Sequence, residues 1–152
     1  MTSFPHPDIT SLDALADFLR EHGDEPLYVR WSRDPRADLA DGNGSQDDLT
    51  RDALPGLSAT PLSVEEWWRD RPLRLWAARR LYDYSHLRRD KPPGVHPWIL
   101  TGTETARGPD DEPLLTGARP LARISEDVIA EANREIAHQP GRWGPMRRTG
   151  DP

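Results

Sequence analysis

The sequence predicts an α+β fold: one domain with a small mixed or antiparallel sheet flanked by helices. Three observations carry this. Two segments show a helical apolar period with capping residues, Leu12–Leu15–Ala16–Leu19 and the stretch that follows Pro72. Residues 27–32 alternate in the manner of a strand. Sixteen prolines and eleven glycines divide the rest into short elements, which a helical bundle would not tolerate.

The first helix is expected from about Ser11 to His22. Thr10 or Ser11 can cap its start, and Gly23 offers a left-handed stop. Leu27, Val29 and Trp31 then form the apolar back of a strand, with Tyr28, Arg30 and Ser32 as its polar front. Residues 33–52 are rich in Asp, Gly, Asn and Ser, lack an apolar period and read as a long loop. The run from Leu54 to Leu62 reads as one short strand, and Ser63 can cap a helical turn at Glu65–Trp68.

Pro72 suits the first position of the longest helix. Leu73, Trp76, Ala77, Arg80, Leu81 and Tyr84 keep its period as far as Leu87, and Lys91-Pro92-Pro93-Gly94 ends it. A strand is expected over Val95–Thr105, a turn at 107–110, a short strand at Glu112–Leu115 and another at Ala118–Ile124. Ser125 caps a last helix, Glu126 to about Ala137, whose two leading carboxylates suit the helix dipole. The domain spans 1–138, and residues 139–152 read as a Gly-, Pro- and Arg-rich tail.

Composition removes whole classes of function. Without cysteine there is no disulfide, thiolate zinc site or thiol nucleophile. A net charge of −6 gives no general pull toward a phosphate backbone and argues against nucleic acid as a partner. No apolar run is long enough to span a bilayer, and the first residues lack a signal-peptide pattern, so no membrane association and a cytoplasmic location are expected. The five histidines are scattered without ligand spacing, so no metal site is expected. Gly56-Leu57-Ser58-Ala59-Thr60 has the first glycine of a serine-hydrolase elbow but not the second. No Gly-x-Gly-x-x-Gly loop or P-loop is present. The dominance of arginine over the single Lys91, with abundant Ala, Asp and Pro, has the look of a high-GC genome.

Three short stretches carry candidate chemistry: Leu27-Tyr28-Val29-Arg30, Leu57-Ser58-Ala59-Thr60-Pro61-Leu62 and Asp110-Asp111-Glu112-Pro113-Leu114-Leu115. Their order resembles the arginine–serine–glutamate group of mono-ADP-ribosyltransferases. That resemblance implies NAD as a substrate, with no permanently bound cofactor. Arg30 would hold NAD beside Tyr28, Ser58 and Thr60 would brace the pocket floor, and Glu112 would be catalytic. Asp110 would stand where the group has its first glutamate. The middle motif reads Ser-Ala-Thr, and Asp110 is one methylene short of glutamate, which leaves plain NAD hydrolysis or another acceptor open. Pro113 has no N–H for a sheet ladder, so its strand must begin there or lie at an edge.

A second resemblance covers nearly the whole chain. Tyr28-Val29-Arg30-Trp31-Ser32, Leu54-Pro55-Gly56-Leu57-Ser58, Trp98-Ile99-Leu100-Thr101-Gly102 and Gly108-Pro109-Asp110-Asp111-Glu112-Pro113-Leu114 look like an actinobacterial family of unknown function. It implies no known activity.

Two other readings stay open beside an NAD-acting enzyme. One is a non-catalytic binding or regulatory protein with a partner protein on the aromatic–arginine surface of residues 67–89. The other is a small-molecule enzyme of specialised metabolism. On that surface Trp76 and Tyr84 lie on the apolar helix stripe and read as core. Trp67 and Trp68, being adjacent, cannot share a side, and Arg69, Arg71, Arg74, Arg79, Arg80, Arg88 and Arg89 read as a solvated face.

Overall fold

A computed structural model of the protein describes residues 7–32, 56–68, 71–83, 96–108 and 112–138. The long segment 33–52, the continuation of the second helix past residue 83, Tyr84, Asp110 and the tail from 139 lie outside the described residues.

Among the described residues the elements run β1 (Asp8–Ile9), α1 (Leu12–Glu21), β2 (Tyr28–Ser32), β3 (Leu57–Ser58), β4 (Thr60–Pro61), a 3-10 turn (Glu66–Trp68), α2 (Leu73–Asp83), β5 (His96–Arg107), β6 (Pro113–Ile124) and α3 (Glu126–Ala137). The fold is α+β, with a mixed sheet and three helices. Sheet order is β1-β6-β5-β2-β4, and only β1–β6 is parallel; β3 pairs β6.

The short stretch 57–61 turns this sheet into a curl. Leu57 and Ser58 pair with Leu115 and Leu114 of β6, while Thr60 and Pro61 pair with Val29 and Tyr28 of β2. Between them Ala59 donates its N–H to the Pro113 carbonyl at 3.2 Å. Four residues therefore join the two ends of the path β6–β5–β2. The long strands bend to allow it: β5–β6 pairing shifts register at three places, between Ile99 and Leu100, Thr101 and Thr103, and Glu104 and Ala106. Bulges of this kind raise local twist and curvature. Gly117 on β6 takes φ +61°, a conformation glycine adopts without a Cβ penalty.

Alternation along the strands then gives two cores. Outside the curl, Val29, Trp31, Ile99, Ala122 and Ile124 meet the buried faces of the helices: Leu12, Leu15 and Leu19 of α1, Trp76 and Leu81 of α2, and Val128 and Ile129 of α3. Inside it, Tyr28, Leu57, Ala59, Trp98, Leu100 and Leu115 pack against each other without any helix. Trp67, Trp68 and Trp76 meet edge to face at centroid distances of 5.9, 5.6 and 5.4 Å, and Trp76 donates from Nε1 to the Leu62 carbonyl at 2.8 Å.

Arg74 ties the three helices together. Its guanidinium reaches Asp13 of α1 at 2.7 Å and Glu131 and Glu135 of α3 at 3.2 and 2.8 Å. Hydrogen bonds from Glu135 and Asp13 push its pKa further above the ordinary arginine value. Glu131 also accepts the Leu12 N–H at 2.9 Å, which satisfies one of the donors at the start of α1.

Four sequence expectations change in detail. Gly23 is not left-handed; α1 ends at His22, with φ −106° and its N–H on the Phe18 carbonyl. The described part of the expected strand Leu54–Leu62 is two strands with different partners, because the closure of the sheet hands the chain from β6 to β2. Glu112–Leu115 and Ala118–Ile124 belong to one strand, β6, since pairing with β5 continues on both sides of Gly117. Ser125 has the extended backbone of an N-cap, but its buried hydroxyl makes no cap bond and has no partner among the described residues.

Candidate functional site

The face of β2 that reads as a polar front lies inside the curl, and each of its residues is engaged there. Ser32 Oγ accepts from Trp98 Nε1 at 2.8 Å. Tyr28 is buried, and the Glu104 carboxylate bears on its hydroxyl. Burial first, and the Glu104 carboxylate second, push the Tyr28 pKa above its ordinary value, because both penalise the phenolate. Arg30 stands between them, opposite Trp98 in the β2–β5 register, and donates from Nη1 to the Ser58 carbonyl at 2.7 Å. A charged donor makes this a stronger bond than one between neutral groups.

Ser58 thus meets Arg30 through its backbone. Its neighbours Leu57 and Ala59 point into the curl, so alternation turns the Ser58 side chain outward. Thr60 differs more. It lies opposite Val29, whose side chain belongs to the helix-side core, and it lines a small cavity with Trp31, Leu62 and Arg80. The register therefore separates Thr60 from the face of Arg30 and Tyr28.

Glu112 directly precedes β6. Its carbonyl accepts the Gly108 N–H at 2.8 Å, closing the turn between β5 and β6. Its side chain folds back over Gly108 so closely that a Cβ at position 108 would overlap the carboxylate. Only glycine lets the acid lie there. Pro113 is the first residue of β6, which meets the constraint set by its missing N–H. The β3–β6 register places Ser58 opposite Leu114, and Ala59 bonds the Pro113 carbonyl. The strand that begins directly after Glu112 is therefore the neighbour of the strand whose carbonyl Arg30 holds. Asp110 lies outside the described residues.

Two residues of this region carry weight that the motifs alone did not reveal. Glu104 falls on the period of Trp98, Leu100 and Gly102, so alternation along β5 could have aimed it at Tyr28. Gly108 gave no local signal, since its role depends on where the Glu112 side chain lies.

The described part of the aromatic–arginine surface is largely turned inward. Trp68 and Trp76 are buried, and Trp67 packs against them. Arg80 has a side chain 10% exposed, pairs with Glu65 at 2.8 Å and lies 4.6 Å over the Trp76 ring. Arg71 lies 5.1 Å over the Trp68 ring. Arg74 is committed to three carboxylates and Arg80 is nearly buried, so these two depart from the expected solvated face, whereas Arg71 is exposed and Arg69, Arg88 and Arg89 lie outside the described residues.

Among the described residues no group of three or more His, Asp or Glu could hold a metal ion, and no helix is long and apolar enough to cross a membrane. No curated protein and no solved structure matches the chain. The motif segments just described do lie within one shared pattern: residues 3–144 match the family of unknown function DUF6098, and the chain belongs to that family.

Proposed function

We propose that the protein acts on NAD, as an ADP-ribosyltransferase-like enzyme or NAD glycohydrolase whose site is built from Arg30, Tyr28, Ser58 and Glu112. The observation that supports this reading is the 2.7 Å bond from Arg30 Nη1 to the Ser58 carbonyl, together with the register that sets Ser58 beside the strand led by Glu112. Three short motifs, far apart in the chain, become neighbours.

In this reading Arg30 anchors a phosphate or ribose of NAD, since a planar guanidinium with five N–H donors suits a forked contact. Glu112 orients the ribose and stabilises the positive charge that develops at its anomeric carbon. The bond from that carbon to the nicotinamide nitrogen breaks, and its electron pair leaves with nicotinamide as the neutral ring. Water or an acceptor group supplies the new bond to carbon and releases one proton. Tyr28, buried on the same strand face, offers an aromatic edge beside Arg30. Thr60 takes no part in this site, and Asp110 remains a candidate contact by its place in the motif.

Titration of the protein with NAD tests the reading. Wild type should show a saturable NAD-dependent rise in melting temperature, because a ligand that binds the native state stabilises it. Arg30→Ala should lose that rise and Glu112→Gln should keep it. A wild-type protein indifferent to millimolar NAD would exclude the proposal.

A further inference from the structure

On the opposite face of the sheet, a small cavity lies between β2, β4 and α2, and two of its lining residues carry donors that find no acceptor among the described residues. Trp31 is 7% exposed, and its Nε1 is buried without a hydrogen-bond partner. The Arg80 side chain is 10% exposed, and its Nε is buried in the same condition. Buried donors are almost always satisfied, so a pair of orphans at one cavity calls for an acceptor.

The guanidinium cannot turn away to find one. Glu65 holds Nη2 at 2.8 Å, and the Trp76 ring lies against its face at 4.6 Å. The Trp31 ring is fixed by burial in the helix-side core. The rest of the wall is mainly hydrocarbon, from Val29, Pro61, Leu62 and Leu81, with Thr60 contributing a hydroxyl that can donate. The cavity has about 10 Å³ of room for the centre of a water-sized sphere, enough for a single particle of that order. A phosphate, carboxylate or other polyatomic ligand does not fit.

We propose that this cavity is a binding site for one monatomic anion of the halide class, held by Trp31 Nε1 and Arg80 Nε, with chloride its occupant in the cell. The chemistry separates a halide from water. Water must place two hydrogens on acceptors as well as accept from donors. A wall of alkyl groups and N–H donors, with the Thr60 hydroxyl as its one side-chain acceptor, leaves water short of acceptors and serves a particle that only accepts. The cation of Arg80 favours an anion further, though Glu65 offsets part of its charge. The site joins α2 to β2 and β4, so its occupant stabilises the attachment of that helix to the sheet.

Crystals soaked in sodium bromide give the direct test. An anomalous bromide peak at hydrogen-bonding distance from both Trp31 Nε1 and Arg80 Nε is expected. A water only at that position, or no peak, overturns the proposal. In solution, sodium chloride against sodium gluconate at matched ionic strength should give wild type a saturable upward shift in Tm. Trp31→Phe keeps the ring and removes the N–H, and should lose the chloride-specific part of that shift. The same chloride dependence in Trp31→Phe as in wild type would also overturn it. Should the variant fail to fold, the bromide result on wild type decides alone. Because this cavity and Arg30 are on opposite faces of the sheet, failure here leaves the NAD reading untouched.

Discussion

Arg30 donates from Nη1 to the backbone carbonyl of Ser58 at 2.7 Å, a contact between residues 28 positions apart. The bond falls where β3 leaves β6 and β4 joins β2, so one guanidinium ties the closure of the sheet beside the strand that Glu112 precedes. The two roles separate under substitution. Arg30→Ala should cost about 2 kcal/mol of stability, the range for a hydrogen bond to a charged group. Arg30→Lys should recover part of that loss yet weaken NAD binding about tenfold or more, since an ammonium cannot fork. Urea unfolding and NAD titration read the two effects independently.

Gly108→Ala should do the reverse. The new Cβ would overlap the Glu112 carboxylate, which is the far end of a flexible side chain and can swing aside. The stability cost should stay below about 1 kcal/mol, as for most changes outside the core. Nicotinamide release should nevertheless fall roughly 100-fold, because a catalytic group displaced by an ångström loses that order of rate. A variant as active as wild type would show that the position of Glu112 does not matter.

Two other glycines hold the curl for different reasons. A Cβ at Gly56 would stand 3.0 Å from the Leu115 backbone N and O and from Leu114 Cβ, so backbone must move. Gly56→Ala should cost on the order of 1–3 kcal/mol, as overpacking does. Gly117 has open space around it and only its φ of +61° to protect. Gly117→Ala should cost about 1–2 kcal/mol. Gly117→Asn should cost less than Gly117→Ala, since asparagine visits that region more readily. Equal effects of Ala and Asn at 117 would contradict this.

Alkaline pH should unfold the inner core through Tyr28. Its folded-state pKa is raised by burial and by Glu104, so the fold disfavours the phenolate. The resulting stability is full below the ordinary tyrosine value and is lost as pH rises through the raised one. Lys91 is the only lysine, so few other groups blur the step. Chemical denaturation between pH 8 and pH 11 (about the tyrosine range) should show falling stability in wild type and a flatter profile in Tyr28→Phe.

Local pattern made the helices legible and hid the closure. The stripe Leu12–Leu15–Ala16–Leu19 is the buried face of α1, and Ser11 caps it through a 3.1 Å bond from the Ala14 N–H. The alternation of 27–32 was equally plain, and its apolar side does meet the helices. What alternation cannot say is whether the other side faces water. Tyr28, Arg30 and Ser32 face an interior created when Leu57 pairs with Leu115, a contact with no local signature. Arg74 and Arg80 misled for the same reason: Glu131, Glu135 and Glu65 lie 57, 61 and 15 residues away. Of the candidate residues, the motif order singled out Arg30 and Ser58, which the structure joins through a backbone carbonyl, and Glu112, which precedes the strand paired with Ser58. The separation of Thr60 from them is a matter of register, which a β-strand pattern fixes only once its partners are known.

The measurement that bears most directly on the account is release of nicotinamide from NAD by the purified wild-type protein, compared with Glu112→Gln. The expected result is turnover by wild type and a loss of at least about 100-fold in the variant, at unchanged Tm, as removal of a group that stabilises developing charge produces. Turnover of equal rate in both proteins, or none in wild type, would contradict it.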